Sequence, residues 1–478
     1  MESHEPQGLL IGGESVTTAR VAEVRSPYDG ALAGRACLAG AAEIERAIVS
    51  GMDGAIAMRA MPRHARRRIL RALADGLRGG RESFARTIAL EAGKPIVQAR
   101  GEVDRAVVTF ELAADEALRV GGELLPLDLE PRAEGYLATV HRMPLGLIAG
   151  ISPFNFPLNL VAHKVAPALA AGNALVLKPA SRTPLSALRL GHLALEAGAP
   201  PGALNVVPAD RETGERIVAD PRFRMLTFTG SAAVGWPMKA RAGAKKKVVL
   251  ELGGNAAAIV EPDADLDWAA DRCASGGFFY AGQSCISVQR ILVHADVFEN
   301  FRARLLARVG RLKTGDPLDE STDVGPVIDE ENATRVVAWI EEARASGARV
   351  LAGGGRKGSL VEPAVLENAP LRSRVVCEEA FGPVVVLAAY TDFDAALAAV
   401  NDSAFGLQAG LFTHDLRRVY RALEVLEVGG LVVGDVPTFR TDNYPYGGVK
   451  DSGAGREGVR YAIDEMTELR ALVINTRK

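Results

Sequence analysis

The sequence predicts an α/β protein with two doubly wound sheets. Three observations carry that prediction. Short apolar runs alternate with amphipathic helix patterns from Leu145 onward, and the alternation resumes after Glu251. A block dominated by helical periodicity, about Ala41 to Arg119, precedes them. Gly- and Pro-marked breaks separate the runs, as the connections of a parallel sheet require.

The elements follow in chain order. In the first block Leu70, Leu73, Leu77 and then Phe84, Ile88, Leu90 recur at helical spacing, with arginines and acids between them. Gly122 to Arg142 reads as a protruding hairpin, with Leu124-Leu125-Pro126-Leu127 and Tyr136-Leu137-Ala138-Thr139-Val140 as its arms. Leu147 to Ile151 is a buried strand ending at Ser152-Pro153. A helix is expected from Pro157 to Ala171, with proline near its start and Gly172 past its end. Strands at Ala174–Leu177, Leu204–Val207 and Met225–Phe228 alternate with helices at Pro184–Ala197 and Glu212–Ala219. The second block repeats the scheme, with strands at Ala256–Val260, Ala348–Leu351 and Val384–Ala388. Its helices are expected at Ala269–Gly276, Val297–Val309 and Ala333–Ala345. Parallel sheets bind ligands at the carboxyl ends of their strands. Ser152 to Phe156, Lys178 to Ser181 and Thr229 to Ser231 all fall at such ends.

A chain of 478 residues buries more than one core, and 48% hydrophobic with 24% charged residues is ordinary globular composition. A net charge of -3 gives no reason to propose nucleic acid or an anionic membrane as partner. The basic runs Arg66-Arg67-Arg68 and Lys245-Lys246-Lys247 are short and read as solvated faces. The four cysteines, Cys37, Cys273, Cys285 and Cys377, form no CxxC pair, and no His cluster has metal-ligand spacing. So few cysteines fit a reducing cytoplasm, where Cys285 stays free. The start, Met1 to Pro6, lacks the basic and apolar segments of a signal peptide, and no apolar run is long enough to span a membrane.

Cys285 lies in Tyr280-Ala281-Gly282-Gln283-Ser284-Cys285, and Glu251 opens Glu251-Leu252-Gly253-Gly254-Asn255. A thiol beside a glycine is a strong nucleophile that substrate can approach closely. A separate carboxylate can serve as general base for a later attack by water. Together they suggest covalent chemistry on a carbonyl followed by hydrolysis. A buried cysteine in a turn and a helix-terminal glutamate would give the same strings.

Further motifs occur in order: Ser152-Pro153-Phe154-Asn155-Phe156-Pro157, Lys178-Pro179-Ala180-Ser181 and Phe228-Thr229-Gly230-Ser231 with Val234-Gly235. Glu378-Glu379-Ala380-Phe381-Gly382-Pro383 and Tyr446-Gly447-Gly448-Val449-Lys450 follow the cysteine. With these, the chain closely resembles the aldehyde dehydrogenase superfamily from about Leu9 to its end. The resemblance implies a dinucleotide-binding domain (1–120 and 143–252), a catalytic domain (253–455) and a small β oligomerisation element (121–142 and 456–478). It also implies a homodimer or homotetramer, since a partner subunit would pair an exposed sheet edge.

The resemblance implies that Cys285 attacks an aldehyde, that Asn155 and the Cys285 N–H hold the oxyanion, and that Glu251 activates the hydrolytic water. Lys164 matches a family lysine tied to proton movement, or else is a solvent-facing helix lysine. There is no strand-linked GxGxxG. The resemblance instead places the pyrophosphate of NAD or NADP at Gly230-Ser231, a helix N-terminus. Lys178 is expected at the adenosine ribose, Glu379 at the other ribose, and Phe381 beside the nicotinamide. Ser152, Pro153, Phe154, Val234 and Leu252 complete the expected cofactor set. Phe156, His163, Phe279, Ser284, Ile286, Arg440 and Tyr446 are the expected substrate residues.

Two departures from the family pattern matter. NAD-preferring members often carry a glutamate where Ser181 stands, here followed by Arg182, which predicts that NADP is tolerated or preferred. His163 and Arg440 give the substrate entrance a polar character, predicting a hydroxylated or anionic aldehyde such as lactaldehyde, succinate semialdehyde, or a phospho- or sulfo-aldehyde. An ion pair is the structural alternative for Arg440. Ser284 stands where members binding a phosphorylated triose often have arginine, which weakens that substrate reading. Two rival functions remain, a CoA-acylating aldehyde dehydrogenase and a non-catalytic protein with the same fold. CoA-acylating members often lack the glutamate that is present here as Glu251.

Overall fold

The computed structural model describes residues 5–477. The stretch Met1 to His4 and Lys478, at the outer limits of the expected domains, lie outside the described residues. Two sheets organise the chain. The first has eight strands, with a parallel centre formed by Leu204–Val206, Ala174–Lys178, Leu147–Ile151, Met225–Thr229 and Lys247–Glu251 in that order. All but Lys247–Glu251 are buried along their whole length, so they read as near-continuous apolar runs. Helices Asn159–Ala171 and Leu185–Glu196 pack beside them. Leu9–Ile11 and Glu14–Val16 extend one edge antiparallel, a hairpin too short for its periodicity to show in the sequence.

The second sheet has seven strands, ordered Arg349–Ala352, Ala364–Glu367, Val384–Tyr390, Val288–His294, Ala256–Val260, Gln408–Phe412 and Gly430–Val433. Every pairing is parallel except that of the edge strand Arg349–Ala352. A third sheet joins Gly122–Pro126, Tyr136–Pro144 and Thr467–Asn475 antiparallel. Eight of the nine residues of its last strand are exposed, and Leu469 and Leu472 are 64% and 50% accessible.

Two pieces depart from the boundaries drawn on the sequence. Gly453–Ala454, placed with 253–455, pairs with Leu250 and Glu251 of the first sheet. Helix Val459–Glu465, placed in the β element, puts Val459 and Ile463 into the same core as Phe110 and Val165. Among the described residues no helix is long and apolar enough to cross a membrane, and no His, Cys, Asp and Glu cluster could hold a metal ion.

This topology makes one seam. Ser152, Lys178, Gly230 and Glu251 stand at the carboxyl ends of first-sheet strands. Asn255, Cys285 and Phe381 stand just before strands Ala256–Val260, Val288–His294 and Val384–Tyr390 of the second sheet.

Candidate active site

Cys285 follows a strained turn. Tyr280 and Ala281 adopt φ of 48° and 51°, and Gly282 continues at 70°. Left-handed backbone costs about 1 kcal/mol or more for each residue bearing a Cβ. A Cβ on Gly282 would stand 2.1 Å from the Gly382 carbonyl oxygen, so only glycine fits there. The turn is held from outside. The Tyr280 hydroxyl donates to the Ala92 carbonyl at 2.7 Å, its N–H donates to Gln98 at 2.9 Å, and Gln283 accepts from the Ile328 N–H at 2.8 Å.

The Asn155 loop is tied to this turn. Asn155 is buried, and its amide donates to the Gln283 carbonyl at 3.0 Å, which leaves its second N–H for another acceptor. Glu102 accepts from the N–H groups of Leu158 and Asn159 at 2.9 and 3.1 Å, at the start of helix Asn159–Ala171. Glu102 in turn pairs with the fully buried Lys94, whose ammonium lies 3.7 Å from the Phe156 ring centroid and 4.4 Å from that of Tyr280. Breaking such a buried pair by removing one partner costs about 3–5 kcal/mol. Lys94 therefore connects the residue after Asn155 to the turn before Cys285.

Two cavities meet at Cys285. The first, about 490 Å³, is lined by Ser152, Pro153, Phe154, Gly230, Ser231, Val234, Glu251, Leu252, Glu379 and Phe381. The second, about 480 Å³, is lined by Phe156, Phe279, Ser284 and Ile286, with Arg105 and Arg272 at its wall. Asn155, Cys285, Arg440 and Tyr446 belong to both.

The first cavity suits a nicotinamide dinucleotide. Ser231 is the N-cap of the ten-residue helix Ala232–Arg241, whose first-turn N–H groups and dipole favour a pyrophosphate. The Ser152 hydroxyl is buried without a partner, a polar group that a ligand would satisfy. Glu379 accepts from the Gly254 N–H at 2.9 Å, and a Cβ on Gly253 would meet its carboxylate at 2.4 Å. Burial raises the Glu379 carboxyl to about 7, with the Gly254 bond and Arg335 opposing. Phe381, at φ 46°, presents its ring edge-on to Phe154 at 5.8 Å.

Lys178 and Ser181 stand outside that lining. Lys178 is buried with its stem over Gly214, and burial lowers its pKa against the pull of Asp210. Ser181 is exposed and donates to the Ala209 carbonyl at 3.2 Å. Arg182 pairs with Asp329 at 2.9 Å, so the cation beside Ser181 is engaged.

Glu251 is buried, and neither carboxylate oxygen has a hydrogen-bond partner. It ends a strand, not a helix. Burial and the neighbouring Glu457 push its pKa well up, against the pull of Arg440, Lys164 and Arg456. A carboxyl group whose proton affinity is raised in this way suits general-base work. Lys164 is fully buried, which excludes a solvent-facing helix lysine. It donates to Thr227 at 3.1 Å and Thr229 at 2.7 Å and lies 3.6 Å from Glu457.

His163 does not line the substrate cavity, where the sequence reading placed it. It is buried behind it, with Nδ1 3.0 Å from Glu457 and Nε2 3.0 Å from Asp442. Two carboxylates bind the ring, and neither was visible as a partner at separations of 279 and 294 residues. Arg440 meets both expectations at once. It faces both cavities, and it also pairs with Glu457 at 3.1 Å and reaches His163 at 2.8 Å. Its Nε makes no hydrogen bond. Burial alone would raise the Glu457 carboxyl. The His163 bond and the Lys164 charge outweigh it and hold Glu457 well below its usual range.

Sequence reasoning missed Glu457, Asp442, Arg105 and Arg272. Arg105 lies on a helix among other arginines and pairs with Asp442 at 2.8 Å, and Arg272 pairs with Asp435 at 2.6 Å. Helical spacing could assign them to a surface face but not to a cavity formed by distant segments.

Comparisons with known proteins identify the family and the fold. The Aldehyde dehydrogenase family pattern matches residues 14–472. The 3-sulfolactaldehyde dehydrogenase of Priestia aryabhattai is 45% identical over 469 residues, 98% of each chain. Aldehyde dehydrogenase 21 of Physcomitrella patens, solved with the reaction product succinate, superposes with a TM-score of 0.97 at 44% identity over 99% of each chain. The NADP-dependent glyceraldehyde-3-phosphate dehydrogenase of Bacillus halodurans, solved with NADP, gives 0.96 at 36% identity over 99% of this chain and all (100%) of that one. The chain belongs to the aldehyde dehydrogenase family and is an oxidoreductase acting on aldehydes.

Proposed function

We propose that this enzyme oxidises a small anionic aldehyde to its carboxylic acid with NAD or NADP, through a thioester on Cys285. The observation that carries the reading is the position of Cys285 between a cavity suited to a dinucleotide and one walled by Arg105, Arg272 and Arg440. Each arginine has a carboxylate neighbour, yet a guanidinium has five N–H donors and keeps some for a substrate anion. Relatives named for sulfolactaldehyde and a structure holding succinate support an anionic substrate.

The chain's residues divide the work. The Cys285 thiol gives up its proton to solvent in the cavity, and the thiolate sulfur attacks the aldehyde carbon to give a thiohemiacetal. The free N–H of the Asn155 amide and the Cys285 backbone N–H hold the oxyanion. A nicotinamide held beside Phe381 and Glu379 would supply the hydride acceptor that this carbon needs to become a thioester on Cys285. Glu251 then takes a proton from water as it attacks the thioester, and the carboxylic acid leaves. The buried, unpartnered carboxylate of Glu251 supports hydrolysis over transfer to CoA. Gly230 and Ser231 would hold the pyrophosphate, Glu379 a ribose, Phe381 the ring, and Lys178 the adenosine ribose.

Two finer points belong to the same reading. Ser181 carries no negative charge that would repel a 2′-phosphate, and this supports use of NADP. Kinetics with both cofactors test it, and a strong preference for NAD would remove it. The exposed strand Thr467–Asn475 supports pairing with a second copy, hence a dimer or a tetramer of dimers in a reducing cytoplasm, and sedimentation reads the mass directly. The domain division of the sequence reading is kept, with Gly453–Ala454 and helix Val459–Glu465 moved to the first domain.

The substrate class is tested by Arg440→Ala. KM should rise far more for carboxylate- and sulfonate-bearing aldehydes than for a neutral aldehyde of similar length. Equal effects on both would count against the anion reading.

A further inference from the structure

Tyr446 is the group facing the nucleophile to which the chemistry above gives no role. Its hydroxyl oxygen lies 3.1 Å from the Cys285 sulfur, and its side chain is almost fully buried. The Tyr446 backbone fixes the ring in place. Its N–H donates to the Glu457 carbonyl at 3.0 Å, and its carbonyl accepts from the Glu457 N–H at 2.6 Å. The Arg440 guanidinium carbon lies 3.5 Å from the ring centroid, inside the range of a strong cation–π contact.

The surroundings of the sulfur otherwise oppose ionisation. Burial pushes the Cys285 thiol up and the Glu379 and Glu251 carboxylates add to it, while the Tyr446 hydrogen bond and the Arg440 charge pull it down. The charged groups facing this corner are Glu251, Glu379 and Glu457 on one side of the balance and Lys164, Arg335, Arg440 and Arg456 on the other, with Glu102, Arg105 and Arg272 across the second cavity. A nucleophilic cysteine must reach its thiolate form, and a hydrogen bond donated to the charged form favours it. The phenol is the donor within hydrogen-bond distance of the sulfur. A cation on the face of its ring draws electron density from the oxygen and makes the O–H a stronger donor.

We propose that Tyr446 is a catalytic residue: its O–H donates to the Cys285 sulfur and stabilises the thiolate, with Arg440 on its ring strengthening the donor. Tyr446 keeps its own proton throughout. The proton that leaves is the thiol's, and it passes to solvent in the cavity. Once the sulfur has bonded to the aldehyde carbon it is a poor acceptor, so the bond holds the nucleophile before attack and does not hold the product.

This rests on Cys285 being the nucleophile, and the test separates the two claims. Tyr446→Phe removes the oxygen and keeps the ring and its contact with Arg440. Inactivation by iodoacetamide, a neutral reagent, is followed against pH for wild type and Tyr446→Phe, with the labelled peptide identified by mass. The midpoint of the profile should move up by about one pH unit in Tyr446→Phe, with alkylation roughly tenfold slower below the midpoint. The plateau rate at alkaline pH should match wild type, which also shows that the variant keeps a folded site. Thiolate absorbance titrated with Cys285→Ser subtracted reads the same midpoint without a reagent. Label on Cys285 with an unmoved midpoint overturns the role of Tyr446 and leaves the nucleophile in place. Label elsewhere, with Cys285→Ser still active, overturns both.

Discussion

The two cavities that meet at Cys285 have nearly equal volumes, about 490 and 480 Å³, and a different balance of charge. On the cofactor side the wall carries the carboxylates Glu251, Glu379 and Glu457, with Arg335 and the shared Arg440, beside apolar Pro153, Phe154, Val234 and Phe381. On the substrate side Arg105, Arg272 and Arg440 dominate, and the one carboxylate, Glu102, is spent on Lys94 and the helix at Asn159. The same sulfur thus sees acceptors and proton-handling groups on one side and anion-binding donors on the other. The lesson is that chemistry and specificity are built by different walls, so a change in one should leave the other largely intact.

The sharpest way to break that division acts on the shared wall. Asn155→Ala removes the oxyanion donor, and kcat should fall about 10²- to 10³-fold for anionic and neutral aldehydes alike. Steady-state kinetics on both classes check this, and a loss confined to one class would show that Asn155 reads the substrate instead.

A smaller effect should be confined to the substrate side. Arg105→Gln keeps a polar group and removes a charge that touches the Arg440 network only through Asp442. The kcat/KM for a carboxylate-bearing aldehyde should drop about tenfold, from the loss of one charge-assisted contact, with a change of less than about threefold for a neutral one. Equal losses would mean that Arg105 serves mainly to hold Asp442.

The smallest effect belongs to the cofactor wall and depends on pH. Burial holds the Glu379 carboxyl at about 7, above the ordinary 4.5, and Glu91 is raised to about 7 as well. Between those values the folded chain keeps protons that the unfolded chain releases. The stability they contribute is full below pH 4.5 and is lost as pH rises through about 7. Each group contributes on the order of 1–3 kcal/mol. Denaturation between pH 5 and 8 should show a fall with rising pH that is shallower in Glu379→Gln. Cofactor KM should improve across the same interval in wild type, as the acceptor for a ribose hydroxyl becomes charged. A flat profile in wild type would contradict both expectations.

The strands of the parallel centres were legible because they are buried on both faces and read as unbroken apolar runs, as at Leu147–Ile151 and Met225–Thr229. The strand Lys247–Glu251 was not read as one, because a lysine begins it and a glutamate ends it. That glutamate is the proposed base for hydrolysis, and the local rule fails where the candidate site begins. Cys285, Asn155 and Glu251 were legible as residues within motifs. Their support was not. Lys94 reads as a surface lysine until the fold buries it between Phe156 and Tyr280, and Glu457 and Asp442 come to His163 from almost 300 residues away. Local patterns record which face an element buries, and they hold no information on which distant charge completes a buried network.

The most direct test of the account is Glu251→Gln mixed with NADP and succinate semialdehyde, quenched in acid and read by intact and peptide mass. Without its base the enzyme should release one equivalent of reduced cofactor per active site and stall. The peptide holding Cys285 should then carry the succinyl group as a thioester. Steady turnover with no acyl group on Cys285 would contradict the account.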